Sequence, residues 1–489
     1  MTLRARTFTA VRWTAAGTGF QAFLQFAQVA ILARLLSPGD FGLMAIASVV
    51  VSFARVFSDF GLSSGFLQRR TVTNEERSSL FWFNVLLSAV IAATVAAASP
   101  VFAWFFTDPR VMPLIGLSSL TLILAALGAQ IRAAAEKVLL FQRVVLVEAV
   151  AALIGFVGAV LSALSGMGVY SLIVGALVGA ATTTLLLWLY VADGWRPLWR
   201  MRYREVRSFL RFGGNMVGSS LVNHFNTTVD LILGGRLLST DELGIYSVPR
   251  NLTLRIQFMI NRVVTRVTFP LIAAVQEDVA RVRAIYLHTL RMTASINAPL
   301  YLGIAFFAPD IVRILLGDGW ESSGPILRIL ALWGVMRATF NPLGSLLVGM
   351  GRPDVALKWN LALLILVGPM LWIGSHFGAE GIALALLSLL IVLFVPAWLF
   401  LVRPMCSPSF TQYSGAVLTP MLIAFFAILP GYVAAQGFHG SLVRIAVGGV
   451  VAAPLYLVLS YLGNRQWLAS MLELLASRRD QVAGPANHS

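Results

Sequence analysis

VVLVEAVAALIGFVGAVLSALSGMGVYSLIVGALVGAATTTLLLWLY occupies residues 144–190, and Glu148 is its one charged residue. It divides into two continuous apolar runs, 144–163 and 168–191. About 20 apolar residues suffice for a helix to cross a hydrocarbon core about 30 Å thick. Backbone polar groups in lipid must pair internally, so a span is a helix or belongs to a closed barrel. Barrel strands alternate apolar and polar residues over about ten positions. These runs do not alternate, so the stretch predicts two transmembrane helices.

Runs of the same kind extend outward in both directions. The predicted spans are 13–36, 41–62, 80–106, 111–131, 144–163, 168–191, 213–237, 243–266, 288–308, 323–348, 355–374, 379–402, 414–435 and 441–463. The 489 residues are 58% hydrophobic and 12% charged, with a mean hydropathy of +0.82. A soluble domain carries about 25% charged residues. The expected fold is therefore an all-α polytopic membrane protein of about 14 transmembrane helices.

The formal net charge is +15. The basic residues sit in short loops between spans, as membrane topology requires, so no nucleic-acid partner is inferred. One set of loops holds Arg4 and Arg6; Arg69, Arg70 and Arg77; Arg132, Lys137 and Arg143; the arginines from Arg196 to Arg211; Arg281 and Arg283; Arg352 and Lys358; Arg403; and Arg465, Arg478 and Arg479. The opposite set holds little beyond Arg110 and Arg313. The alternation is regular with fourteen spans and both termini cytoplasmic. Arg4, Arg6 and Arg12 precede a first span too long and polar for a cleavable signal. The single cysteine, Cys406, excludes an intramolecular disulfide and a cysteine-based metal cluster.

The chain repeats itself. Arg34-Leu-Leu-Ser37, then Gly42, matches Arg236-Leu-Leu-Ser239, then Gly244. Pro100 to Asp108 resembles Pro309 to Asp318, and Gly168-Val169 resembles Gly381-Ile382. Six spans separate equivalent points, so the halves share one orientation, as in parallel-repeat transporters. The expected organisation is a six-helix lobe over 1–192, a cytoplasmic amphipathic linker over 193–212, and a second six-helix lobe over 213–402. Two additional helices over 403–463 and a cytoplasmic tail over 464–489 complete the chain. The linker's arginine, tryptophan and leucine pattern predicts a helix lying on the inner leaflet.

Charge inside a bilayer is costly, so intramembrane polar residues are candidates for function. Asn223, Thr227 and Asp230 share one face of the seventh span, and Ser219 extends the line. Gln21, Gln25 and Gln28 form the equivalent stripe in the first span. These stripes line a common space or, alternatively, glue helices together by hydrogen bonds. Arg55 and Asp59 stand one turn apart and could simply pair. Arg250, Asn251 and Arg255 lie in the eighth span, with Arg262 and Arg266 near its end. Arg337 and Asn341 form a weaker pair in the tenth. Asp230 is the candidate for ion or proton coupling. His224 adjoins the stripe, and Glu148 is expected at the interface. No phosphate-binding loop, H-E-x-x-H pair or G-x-S-x-G elbow is present, so neither catalytic residues nor a cofactor nor a metal site is expected.

Arg34-Leu-Leu-Ser-Pro-Gly-Asp-Phe-Gly-Leu resembles the first-loop signature of the Wzx-type oligosaccharide-lipid flippases. Gly244-Ile-Tyr-Ser-Val, Thr268-Phe-Pro-Leu, Gln276-Glu-Asp, Leu315-Leu-Gly-Asp-Gly-Trp, Pro325-Ile-Leu-Arg-Ile-Leu-Ala-Leu and Gly349-Met-Gly-Arg-Pro-Asp resemble the same group, near its colanic-acid exporter branch. That group belongs to the multidrug/oligosaccharidyl-lipid/polysaccharide exporter superfamily. The resemblance covers about residues 10–400. It implies two pseudo-symmetric six-helix lobes around a cavity lined by the first, second, seventh and eighth spans. It also implies alternating access, an ion gradient as driving force, and a polyprenyl-diphosphate-linked oligosaccharide as substrate. Membrane lipids, a polysaccharide polymerase and export machinery are the expected partners, and a bacterial inner membrane the expected location. Arg55, Arg250 and Arg255 suit a diphosphate, because guanidinium pairs bidentately with phosphate. The alternatives are a drug or organic-cation exporter, which would want cavity carboxylates, and a glycan polymerase or ligase, which would want a large outer loop.

Overall fold

A computed structural model describes residues 3–69, 71–465 and 467–469, without the side chains of 3–16, 18, 212, 215, 216, 219 and 259–267. The expectations for Arg4, Arg6, Arg12, Arg70, Ser219, Arg262, Arg266, Arg478 and Arg479 lie outside the described residues or side chains, as does most of the tail.

The described chain is all helix and connecting turns. The order is α1 Leu3–Leu32, α2 Pro38–Asp59, α3 Leu62–Gln68, α4 Asn74–Ala97, α5 Ser99–Phe105, α6 Val111–Lys137, α7 Phe141–Leu164 and α8 Tyr170–Tyr190. Then follow α9 Tyr203–Leu237, α10 Thr240–Ala274, α11 Val279–Phe306, α12 Ala308–Leu315, α13 Ser323–Thr339, α14 Pro342–Gly349 and α15 Pro353–Ser375. Last come α16 Gly378–Val392, α17 Phe394–Ala397, a π-helical turn Trp398–Val402, α18 Arg403–Cys406, α19 Phe410–Ala435 and α20 Ser441–Gly463. Among the described residues, eight helices are long and apolar enough to cross a membrane, ten if each of two bent pairs is one span. The other predicted spans are also helical, but α1, α9, α10 and α13 are not among those ten. Of these four, α1 and α9 carry the candidate polar stripes, α10 carries Arg250 and Arg255, and α13 carries Arg337, whereas Arg55 lies in α2. All four are helical; α13 is short, at 17 residues, and α1, α9 and α10 each include residues whose side chains are not described.

Several predicted spans are interrupted, each near a proline. A proline removes an N–H and clashes with the preceding turn. The span predicted over 80–106 breaks at Ala98, before Pro100. Its repeat partner bends by 76° between α11 and α12, beside Pro309. The span predicted over 323–348 stops at Thr339 and restarts at Pro342. That over 379–402 bends by 42° between α16 and α17.

The fold divides into two compact units. The first comprises residues 1–248, 315–319 and 363–379, and the second comprises 249–314, 320–362 and 380–489. The change falls inside α10, next to Pro249. In the first unit α7 packs on α8, α4 on α6, and α2 on α6 and α9. In the second, α11 packs on α13 and α19, and α19 on α20. Lipid removes most of the hydrophobic drive for helices to associate, so close packing and interhelical hydrogen bonds must hold each unit. In the second unit the Tyr301 hydroxyl donates to the Thr253 carbonyl at 2.9 Å, and the Tyr456 hydroxyl to the Ser295 carbonyl at 2.6 Å.

Residues 193–202 form no helix, and 203–212 are the first turns of α9. The helix expected over 193–212 therefore covers only the second half of that stretch. Several groups of this segment are engaged by protein, while Trp199 and Tyr203 are 91% and 65% exposed. Trp195 Nε1 donates to Asn74 Oδ1 at 2.6 Å, and Trp82 Nε1 to the Leu198 carbonyl at 2.9 Å. The Leu198 N–H donates to Ser78 Oγ and the Arg202 N–H to Ser79 Oγ. Arg200 bridges Glu75 and Glu205 at 3.0 and 2.7 Å.

Candidate functional site

The two repeat motifs meet within the first unit. Each begins a helix with a reciprocal cap. Asp40 N–H donates to Ser37 Oγ while Ser37 N–H donates to Asp40, and Glu242 N–H donates to Ser239 Oγ while Ser239 N–H donates to Glu242. Such caps contribute about 1 kcal/mol each and fix where a helix starts. One turn on, the backbones touch. A Cβ on Gly42 would lie 1.9 Å from the Thr240 carbonyl oxygen, and one on Gly244 would lie 1.8 Å from the Pro38 carbonyl oxygen. Only glycine permits this reciprocal crossing of the α2 and α10 starts. Arg110 lies beside it, bound to Asp108 at 2.7 Å and reaching Thr240 Oγ1 at 3.4 Å. The Arg110 side chain holds the Asp108 carboxyl below the ordinary carboxylate range, against the opposing effect of burial. Asp241 and Asp40 add to the field that Arg110 feels.

The α9 stripe runs from exposed to buried. Asn223 is exposed, whereas Asp230 is 3% exposed. The Tyr246 hydroxyl donates to Asp230 Oδ2 at 2.6 Å, and Tyr246 is fully buried. A hydroxyl donating to a carboxylate is one of the stronger hydrogen bonds. Tyr246 lies in the quoted Gly244-Ile-Tyr-Ser motif, but sequence reasoning missed its role. A signal existed: α9 and α10 form a hairpin, and Asp230 and Tyr246 each stand eight residues from Leu238. Thr227 donates back to the His224 carbonyl at 2.9 Å, so its hydroxyl hydrogen serves its own helix. His224 Nε2 lies 2.9 Å from Ser52 Oγ, and its ring meets Phe53 edge-on.

In α1, Gln21 Nε2 donates to Glu148 Oε2 at 3.1 Å, and Glu148 pairs with Arg132 at 2.7 Å. Arg132 also holds Glu136 at 3.0 Å. Glu148 is thus bound between helices, near the start of α7. Gln25 is exposed and Gln28 half-buried. Arg55 is exposed, four residues before the end of α2, and makes no ion pair with Asp59 among the described residues. Asp59 instead accepts from Ser63 Oγ at 2.5 Å.

The second unit holds the remaining candidates. Arg250 is 4% exposed, and its Nη1 lies 3.5 Å from Asn251 Oδ1. Arg255 stands near the middle of α10, half-buried, and its Nη1 is buried with no hydrogen-bond partner among the described residues. Arg337 stacks over Trp333 at 5.0 Å. Asn341 sits at the α13–α14 break as the N-cap residue of α14.

With this geometry in view, the family can be assigned. The model of the family described as "Polysaccharide biosynthesis protein" matches residues 31–325. The chain is 30% identical over 433 residues to lipopolysaccharide biosynthesis protein WzxC of Escherichia coli, covering 88% of each chain. The chain belongs to the polysaccharide biosynthesis protein family. It is also 24% identical to the succinoglycan biosynthesis transport protein ExoT of Rhizobium meliloti, covering 99% of this chain and 98% of that one. Among solved structures, the lipid II flippase MurJ in an inward closed conformation superposes with a TM-score of 0.75 at 14% identity, covering 94% of this chain and all of that one. An inward-facing multidrug resistance transporter of the MATE family gives a TM-score of 0.53 at 15% identity, covering 77% and 93%. These likenesses establish an all-α polytopic transporter fold. The chain is a multi-pass membrane protein.

Proposed function

We propose that this chain is a flippase that carries a polyprenyl-diphosphate-linked oligosaccharide from the cytoplasmic to the periplasmic leaflet by alternating access. The observation that carries the reading is the pairing of family and fold. A chain from the polysaccharide biosynthesis family adopts, over 94% of its length, the fold of a protein titled a lipid II flippase. The placement of arginine supports a diphosphate cargo. Arg255 has a buried donor without a partner among the described residues, and Arg55 is exposed without a carboxylate partner among them. Each offers a guanidinium fork to phosphate oxygens. Gln25, Asn223, Asn251 and Asn341 could meet sugar hydroxyls. These polar groups suit a glycan better than an apolar drug.

The fuller account places fourteen spans in a bacterial inner membrane, with both termini cytoplasmic, and two six-helix lobes followed by two additional helices. It takes an ion gradient as the driving force, with Asp230 as the coupling carboxylate. Polymerase and export machinery would take the delivered glycan. Depletion of the protein tests the core reading. Lipid-linked oligosaccharide should then accumulate on the cytoplasmic leaflet. An unchanged leaflet distribution would count against it.

A further inference from the structure

The interior of the first unit contains polar side chains that the transport account does not use. Three helix faces meet there. On α2 the buried face runs Val51, Ala54, Ser58. On α4 it runs Leu80, Asn84, Ser88, Ala92, and on α6 it runs Leu122, Ala126, Gln130, Ala133. Side-chain contacts fix their register. Ala92 packs with Leu122 and Ala54 in one layer, and Leu80 packs with Ala133 and Leu62 in another. Ser58 Oγ and Ser88 Oγ lie 2.5 Å apart in the layer between. The α4 and α6 faces therefore run antiparallel. Asn84, one turn from Leu80, and Gln130, three residues from Ala133 on the same side, stand at one level.

Both residues are almost wholly buried, Asn84 at 2% exposure and Gln130 at 0%. Asn84 Oδ1, Gln130 Oε1 and Gln130 Nε2 have no hydrogen-bond partner among the described residues. Buried amides are normally satisfied by protein, water or an ion. Two buried amide oxygens belong to residues at this level, and the α2 helix ends one residue after Ser58, at Asp59, with left-handed backbone at Phe60 and Gly61. A helix C-terminus carries partial negative charge.

We propose that this core binds a partly hydrated monovalent cation through Asn84 Oδ1, Gln130 Oε1 and the Ser58–Ser88 hydroxyl pair. Oxygen ligands and the nearby helix end suit a hard cation, and the shell water accepts from Gln130 Nε2. The ion would tie α4 and α6 to the end of α2, where the chain breaks into α3. This inference does not rest on the flippase reading, because the ion braces the fold and is not carried.

The test is thermal unfolding of the full-length protein in detergent, in sodium, lithium, potassium or N-methylglucamine chloride at equal ionic strength. An Asp230→Asn background removes the other proposed ion site. One alkali cation should raise the midpoint by about 3 °C over N-methylglucamine. Asn84→Leu and Gln130→Leu should abolish that rise. Gln130→Glu, which keeps the shape and adds charge, should enlarge it and guards against variants that fail to fold. A rise that persists in folded leucine variants overturns the proposal. So does cation-independent unfolding with a more stable Gln130→Leu, which would mean the amides are buried with water alone.

Discussion

The hairpins α1–α2 and α9–α10 are repeats of each other, yet they differ at one level. Their helix starts share a capped serine and a glycine at matching positions. Farther from the turn, the 202-residue offset sets Asp230 against Gln28 and Tyr246 against Met44. The second hairpin buries a carboxylate on a phenol, at 2.6 Å. The equivalent positions of the first hairpin hold a neutral amide, Gln28, and a thioether, Met44. The lesson concerns what symmetry conserves. Backbone contact at the crossing needs glycine on both sides and is retained. The buried carboxylate is found on one side, at Asp230.

The crossing offers the largest effect. Gly42→Ala and Gly244→Ala should each lower stability by about 1–3 kcal/mol, since a methyl there meets a carbonyl oxygen. The two losses should be similar and less than additive in the double variant, because one contact serves both. Unequal losses in thermal unfolding would break the symmetry argument. At the asymmetric level, Tyr246→Phe leaves Asp230 without one donor and should cost about 1–3 kcal/mol. Met44→Leu, its counterpart, should cost under about 1.5 kcal/mol. A neutral Tyr246→Phe would mean that the hydrogen bond contributes nothing to this packing.

Helical character was legible throughout, because apolar runs of membrane length leave the backbone no other choice. Helix interruptions at Ala98 and Asn341 were less so. A run keeps its apolar pattern across a proline, and hydropathy does not register the missing N–H. The site was legible as a set of residue types. Gln21 reads the same in sequence whether it lines a space or binds Glu148, and only packing of α1 on α7 decides this. Arg55 and Asp59 have pairing geometry, yet Ser63, beyond the end of α2, takes the carboxylate. The linker's tryptophans match those of an interfacial helix, and their protein partners come from α4, about 120 residues earlier.

Smaller effects sharpen the contrast. Gln21→Leu removes a part-buried bond to Glu148 and should cost about 1 kcal/mol, with Arg132 still holding the carboxylate. Gln25→Leu, exposed on the same helix, should be near neutral in stability. Equal losses would show that α1 uses its stripe uniformly. At the rim, the Asp108–Arg110 pair is partly exposed, so its contribution stays under about 1 kcal/mol. The Asp108 carboxyl titrates below its ordinary value, so this contribution is present above about pH 4 and is lost as pH falls through the lowered value. Asp108→Asn should flatten that small acid-side loss in a pH series of unfolding midpoints.

Transport in reconstituted vesicles under an imposed ion gradient addresses the account most directly. Wild-type protein and Asp230→Asn would be compared for movement of a polyprenyl-diphosphate-linked oligosaccharide across the bilayer. The account predicts that wild type accumulates the glycan lipid in one leaflet against its gradient, while Asp230→Asn only equilibrates it. Gradient-driven accumulation by Asp230→Asn at the wild-type rate, or no movement by wild type beyond protein-free vesicles, would contradict it.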